Sequence, residues 1–175
     1  MSKMEVAVIG GGCFWCTEAV FLRLAGVEKV VSGYAGGTST NPNYQEICTG
    51  ASGHAEVIEI TYDAEVISFE TLLEVFFATH NPTTLNQQGA DRGTQYRSVI
   101  FYQDEVQKTI AETVIKKEGA SFSDPIMTEL SAAPVFYPAE AYHQNYYNLN
   151  GGEGYCQVVI APKVQKFMEK FIDKL

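Results

Sequence analysis

Met4-Glu5-Val6-Ala7-Val8-Ile9-Gly10-Gly11-Gly12-Cys13-Phe14-Trp15-Cys16-Thr17-Glu18 is an apolar run that passes through three glycines into a cysteine. The β-branched stretch reads as a strand, the glycines as a tight turn, and the residues beyond them as a helix. This places Cys13 at or just before a helix N-terminus, where unpaired N–H groups and the helix dipole favour a thiolate nucleophile. Three other chemistries compete for the same residues. A dinucleotide fingerprint would need a third glycine where Trp15 stands, and an acidic residue about twenty positions on, where Val30 and Val31 stand, so it is set aside. Cys13 and Cys16 have the C-x-x-C spacing of a thioredoxin-type pair, but Phe14-Trp15 between them builds an apolar wall beside Cys13 instead of a small turn. A metal site is disfavoured because the four cysteines supply one C-x-x-C, with Cys48 and Cys156 isolated.

With 175 residues, 46% of them apolar and 12% aromatic, the chain has the length and composition of one globular domain. Twelve basic against twenty-one acidic residues give a formal charge of -9, which repels phosphate backbones and anionic lipid, so neither nucleic acid nor membrane is expected as a partner. Glu5 interrupts an N-terminal run too short for a signal peptide, and no stretch is long enough to span a bilayer; the expected location is cytoplasmic. In that reducing compartment the cysteines are inert core residues or catalytic, not a stabilising disulfide framework.

No internal repeat or linker divides the chain. A helix is expected over Thr17–Leu24 with Val20, Phe21 and Leu24 on one face. A strand over Val27–Ser32 runs into Gly33-Tyr34-Ala35-Gly36-Gly37, and a long loop extends to about Cys48. Ala55–Tyr62 is a strand. Phe69–His80 is an amphipathic helix capped by Ser68. Arg97–Tyr102 and Ile126–Leu130 are further strands, and Asp104–Lys117 is a helix carrying Val106, Ile110 and Val114. Pro138 is expected to start a helix through Tyr147, and Pro162 a C-terminal one with Val164, Phe167, Met168 and Phe171 inward. Strands and helices mixed without strict alternation point to an α+β sandwich, with a mixed central sheet flanked by helices.

Glu56 falls on the same strand face as Ile58, Ile60 and Tyr62, the face expected to be buried. A carboxyl group there has a raised pKa and can donate a proton near neutral pH. A structural ion pair with Arg97 or Arg92 is the alternative. Tyr44, Tyr96 and Tyr146 each offer a hydroxyl, though most of ten tyrosines are amphipathic core fillers. Asp91, beside glycines, is a turn residue or a loop anchor. His54 and His143 are left unassigned, and Cys48, between Ile47 and Thr49, reads as a small buried hydrophobe. Cys156 lies in Gly151-Gly152-Glu153-Gly154-Tyr155-Cys156, a composition that lets a thiol swing to a distant sulfur as a resolving cysteine must.

Six segments, Gly12-Cys13-Phe14-Trp15, Gly33-Tyr34-Ala35-Gly36-Gly37, Asn41-Pro42-Asn43-Tyr44, Gly53-His54-Ala55-Glu56, Gly93-Thr94-Gln95-Tyr96-Arg97-Ser98 and His143-Gln144-Asn145-Tyr146, together resemble the A-type peptide methionine sulfoxide reductases, in the family's order and over nearly the whole chain. The resemblance implies an α/β sandwich with a ferredoxin-like core, a single domain over 1–175, and a flexible tail around 148–160. It implies reduction of the S epimer of methionine sulfoxide, free or in peptides and proteins, without metal or organic cofactor. Thioredoxin, or dithiothreitol in its place, would be the reductant. By position it assigns Cys13 as nucleophile, Phe14 and Trp15 as the pocket for the substrate methyl, Glu56 as acid, and Tyr44 and Tyr96 as oxygen-binding hydroxyls. Asp91 matches the family's active-site aspartate and Tyr146 a pocket aromatic. Many members have glycine where Cys16 stands and two cysteines near the C-terminus. Here Cys156 matches the first resolving position, and Cys16 is a second candidate.

Overall fold

The structure is a computed structural model that describes residues 3–38, 42–49, 52–88, 91–150, 154 and 159–174. In chain order its elements are β1 (Met4–Gly10), α1 (Phe14–Phe21), β2 (Val27–Ala35), α2 (Tyr44–Cys48), β3 (Ala55–Asp63), α3 (Phe69–Thr79), the short β4 (Gln87–Gln88) and β5 (Asp91–Arg92), β6 (Val99–Tyr102), α4 (Glu105–Gly119), β7 (Glu129–Ala132), β8 (Tyr137–Pro138), α5 (Tyr146–Asn150) and α6 (Ala161–Lys170). Single 3₁₀ turns lie at Thr94–Tyr96 and Ala141–His143.

The main sheet has the order β7-β6-β1-β3-β2-β8. All its pairings are antiparallel except β6 with β7, so the sheet is mixed. Its inner four strands with α1 and α3 form the β-α-β-β-α-β arrangement of the ferredoxin-like fold, so the expected α+β sandwich and core are observed. Alternation along β3 divides the core. Ile58, Ile60 and Tyr62 join the large cluster under α1 and α3 with Phe14, Phe21, Leu72, Leu73 and Phe76. Val57 and Ala55 face a smaller cluster with Val8, Val99 and Phe101. The first four residues of β3, Ala55, Glu56, Val57 and Ile58, are all buried, so both faces of the strand are covered there and the carboxyl group of Glu56 is costly unless used, whereas Glu59, Thr61 and Asp63 further along are partly exposed.

N-caps start α3 and α4 as their sequences demand. Ser68 Oγ accepts from the Thr71 N–H at 3.1 Å to start α3, and Asp104 Oδ1 accepts from the Gln107 N–H at 2.8 Å to start α4.

Several boundaries depart from the expectations. α1 begins at Phe14, not Thr17, so Phe14, Trp15 and Cys16 are helical. β2 continues through Gly33-Tyr34-Ala35, and the presumed loop up to Cys48 contains α2. The strands expected at Arg97 and Ile126 begin at Val99 and Glu129. α4 is rotated from its expected phase: Val106 is 68% exposed while Gln107 is buried, donating Nε2–H to the Val6 carbonyl at 2.8 Å. In α6, Val164 and Phe167 face inward, but Met168 is 40% exposed and Phe171 half-buried. The helix expected from Pro138 to Tyr147 does not form. Pro138 instead pairs opposite Gly33 on the sheet edge, where a residue without an N–H is tolerated, and only the 3₁₀ turn and α5 follow. No helix among the described residues is long and apolar enough to cross a membrane.

Candidate active site

The site forms where β1 ends. Gly10 lies so close to β3 that a Cβ there would sit 2.6 Å from the Glu56 carbonyl oxygen, and Gly12 turns the chain at φ +87, a left-handed conformation that suits glycine. The Gly12 N–H donates to the Tyr96 carbonyl at 3.2 Å, which ties the Thr94–Tyr96 turn to this corner. Cys13 is the N-cap residue of α1, as expected, with extended backbone angles. Its carbonyl accepts the Cys16 N–H at 3.0 Å.

Glu56 is 1% exposed, and its Oε1 accepts the first helical N–H, that of Phe14, at 3.1 Å. A carboxyl group thus caps α1 from the neighbouring strand, across 42 residues of sequence. No ion pair with Arg97 forms: Arg97 Nε bonds Glu129 Oε1 at 3.1 Å, and its Nη1 donates to the carbonyls of Gly53 and Thr94. Burial pushes the Glu56 carboxyl up to about 8, against the Phe14 N–H that favours its charged form; the charges of Asp91 and Cys16 add to the rise, and a hydrogen bond from Cys13 opposes it. Glu56 is therefore protonated near neutral pH. Its Oε2 has no hydrogen-bond partner among the described residues, so the acid presents an unsatisfied group beside the thiol.

The Cys13 thiol is 8% exposed, and burial, above all, raises its pKa well above the ordinary value; a hydrogen bond with Cys16 and the charge of Glu56 act in the same direction. This corrects the expectation of a resting thiolate. The helix end that was to stabilise sulfur is capped by Glu56, and desolvation outweighs what remains of the dipole. Cys13 and Glu56 form a pair of neutral groups in contact.

A cluster of aromatic rings packs next to this pair. Trp15 stacks on Tyr146 with ring centroids 3.8 Å apart and planes 9° from parallel, and on Tyr44 at 6.3 Å and 22°. Phe14 packs at 5.6 Å from Tyr34, the residue opposite Glu56 in the sheet register. Carboxylates hold the flanking tyrosines from behind. Glu140 accepts the Tyr44 N–H and the Tyr34 hydroxyl, each at 3.1 Å, and the buried Glu18 accepts the Tyr146 N–H at 3.2 Å. Burial raises the pKa of Glu18 despite its backbone hydrogen bonds to Asn145 and Tyr146 and that to Ser32.

The structure therefore brings together Cys13, Phe14, Trp15, Cys16, Glu56, Tyr44 and Tyr146. Asp91, on β5, reaches the site through its charge on Glu56, and Tyr96 is joined to it through its backbone at Gly12. Cys156 lies outside the described residues, as does the side chain of Cys48. Sequence reasoning assigned no role to Glu18, Tyr34 or Glu140 and left His143 unassigned. A glutamate on an otherwise apolar helix was the available signal for Glu18; the partners of the others are remote in sequence. Among the described residues, no three His, Cys, Asp or Glu side chains gather as a metal site would require.

A buried thiol in contact with a buried neutral acid, set at a strand-to-helix turn beside an aromatic cluster, is an arrangement that fits a cysteine-dependent oxidoreductase. The comparisons make the assignment specific. The family model for peptide methionine sulfoxide reductase matches residues 5–175. A peptide methionine sulfoxide reductase MsrA of Chromobacterium violaceum is 56% identical over 170 residues, 96% of this chain and 97% of that protein. One from Polynucleobacter asymbioticus is 53% identical over 173 residues, 98% of this chain and 91% of the relative. Among solved structures, Mxr1 from Saccharomyces cerevisiae in reduced form superposes with a TM-score of 0.84 at 31% identity, covering 88% of this chain and 90% of that one. The chain belongs to the peptide methionine sulfoxide reductase family.

Proposed function

We propose that the protein reduces the S epimer of methionine sulfoxide, free or within peptides and proteins, and so repairs oxidised methionine. The observation that carries the mechanism is the hydrogen bond from the Phe14 N–H to Glu56 Oε1, which holds a protonated carboxyl group against the Cys13 thiol.

A sulfoxide oxygen accepts hydrogen bonds strongly, yet it leaves sulfur poorly unless protonated as charge develops. With Oε1 occupied, the Glu56 proton resides on Oε2, which gains its acceptor when the substrate oxygen arrives. The hydroxyls of Tyr44 and Tyr96 share that oxygen, and the charge of Asp91 adds to the burial that keeps Glu56 protonated. Phe14, Trp15 and Tyr146 enclose the substrate methyl. As Glu56 protonates the substrate oxygen, the Cys13 sulfur attacks the substrate sulfur and the thiol proton passes to the Glu56 carboxylate so formed; the hydroxyl group then passes from the substrate sulfur to Cys13, methionine leaves as the thioether, and the enzyme is left as a sulfenic acid.

A second thiol then attacks the sulfenic sulfur, releasing water and forming a disulfide. Cys156, on the segment around 148–160, takes this role first. Cys16, hydrogen-bonded to Cys13, follows as a second partner. Thioredoxin, or dithiothreitol in its place, reduces the disulfide, so no metal or organic cofactor enters the cycle. The whole chain acts as one cytoplasmic domain.

Replacement of Glu56 by Gln tests the reading. Sulfoxide reduction falls by roughly one to three orders of magnitude when the proton donor is lost, while thiol–disulfide exchange at Cys13 barely changes. Equal loss of both activities would show that Glu56 is only structural.

A further inference from the structure

His143 closes the Ala141–His143 turn and is buried against the pocket. Its Nδ1 accepts the Trp15 indole N–H at 3.2 Å, and its ring centroid lies 4.4 Å from that of Tyr44, 5.3 Å from Phe14 and 5.6 Å from Trp15. The histidine therefore touches three of the rings that form the pocket. Stacking on Tyr146 sets the plane of the indole but does not choose between its two edges, which exchange by a flip about χ2. A hydrogen bond from Nε1 does choose.

The acceptor has fixed footing. Next to His143, the Gln144 side chain accepts the Ser32 N–H and donates to the Ser32 carbonyl, each at 2.8 Å, and also donates to the Ala139 carbonyl at 3.1 Å. Glu140 ties the other side of the turn to Tyr34 and Tyr44. Burial, opposed by the charge of Glu140, lowers the His143 pKa and keeps the ring neutral; the indole N–H at Nδ1 then selects the tautomer with its proton on Nε2, although Nε2 has no hydrogen-bond partner among the described residues.

We propose that His143 is a positioning residue for substrate binding: through the indole N–H it holds Trp15 in one orientation, so that the methyl-binding face is formed before substrate arrives. The proposal rests on the assignment of Trp15 to the substrate pocket. It separates His143 from the chemical step, since the histidine acts on a group that grips substrate and transition state alike.

Trp15 is the only tryptophan in the chain, so its signals are read without interference. In the full-length H143F variant the flat ring remains and the acceptor is lost. KM for a peptide carrying the S-sulfoxide rises about 5- to 10-fold, the equivalent of one lost hydrogen bond, with single-turnover rate at saturation changed by less than about twofold. Trp15 fluorescence decay broadens as a second orientation is populated. H143N, which keeps an acceptor near the Nδ1 position, recovers both. A folded H143F with unchanged KM and unchanged decay overturns the proposal, as does equal impairment of H143F and H143N, which marks a packing role alone. W15F separates the two layers of the argument: raised KM there with normal KM in H143F removes only the role of His143, whereas normal KM in W15F removes the pocket assignment and this inference with it. The unsubstituted enzyme gives an independent reading by NMR. Its single indole N–H resonance exchanges slowly with solvent if the bond to His143 persists, and exchange at the rate of an exposed indole overturns the proposal.

Discussion

At the scale of single residues, the proposed chemistry turns on a proton kept on Glu56 by burial and on a thiol kept neutral by the same means. Two consequences follow for pH. The acid must be protonated to assist the leaving oxygen, so sulfoxide reduction falls as pH rises through about 8, and a pH–rate profile of E56Q lacks that limb. Stability follows the same proton. The folded state holds it up to about 8, whereas the unfolded carboxyl releases it near its ordinary value of 4.5, so the folded state binds the extra proton between these values and loses stability as pH rises through that window. Denaturant titration should therefore find E56Q more stable than the parent at pH 8 by a few kcal/mol, with the difference fading towards pH 4.5. His80 works in the opposite direction. Burial lowers it from 6.5 to about 4, so its contribution is lost as pH falls through that interval. The burial and raised pKa of Glu56 were legible in the sequence, because a carboxyl on the inward face of a strand stands out. The neutrality of Cys13 was not. The sequence shows a helix start, but not that a carboxyl from β3 occupies its free N–H.

At the scale of elements, the turn between β1 and α1 decides whether Cys13 and Glu56 meet. Gly12 has φ +87, and a Cβ there would lie 2.7 Å from Gln88 Cγ. G12A therefore incurs the left-handed penalty of about 1 kcal/mol together with displacement of Gln88. The expected outcome is a lowered unfolding midpoint and a fall in kcat/KM larger than lost stability explains, because the shift is passed directly to Cys13. Elements with strong local signals were readable: the strand from Ala55 and the helix from Phe69 carry clear periodicity, and Ser68 caps as expected. Where tertiary contacts override local preference, the reading failed. Pro138 was expected as a helix start but pairs at a sheet edge, and α4 is turned so that Gln107 reaches the Val6 carbonyl.

At the scale of the whole molecule, the ferredoxin-like sheet brings together residues that the chain separates widely. β3 supplies Glu56 to a helix start 42 residues earlier, and the 3₁₀ turn near the C-terminal third supplies His143 to a tryptophan 128 residues away. The order of the motifs was visible in sequence, and their convergence on Cys13 required the sheet. Glu140, which holds Tyr34 and Tyr44 at once, had no local pattern to mark it. The proposed recycling also belongs to this scale, because in it a thiol distant in sequence reaches Cys13 while Cys16 stands beside it. Mass spectrometry of enzyme oxidised by one turnover of substrate should find the Cys13–Cys156 disulfide predominant, and a dominant Cys13–Cys16 bond would reverse the proposed order. The account as a whole is tested most directly by turnover with the two separated epimers of a methionine sulfoxide peptide, using dithiothreitol and then thioredoxin. The predicted result is reduction of the S epimer alone with either reductant; reduction confined to the R epimer would contradict it.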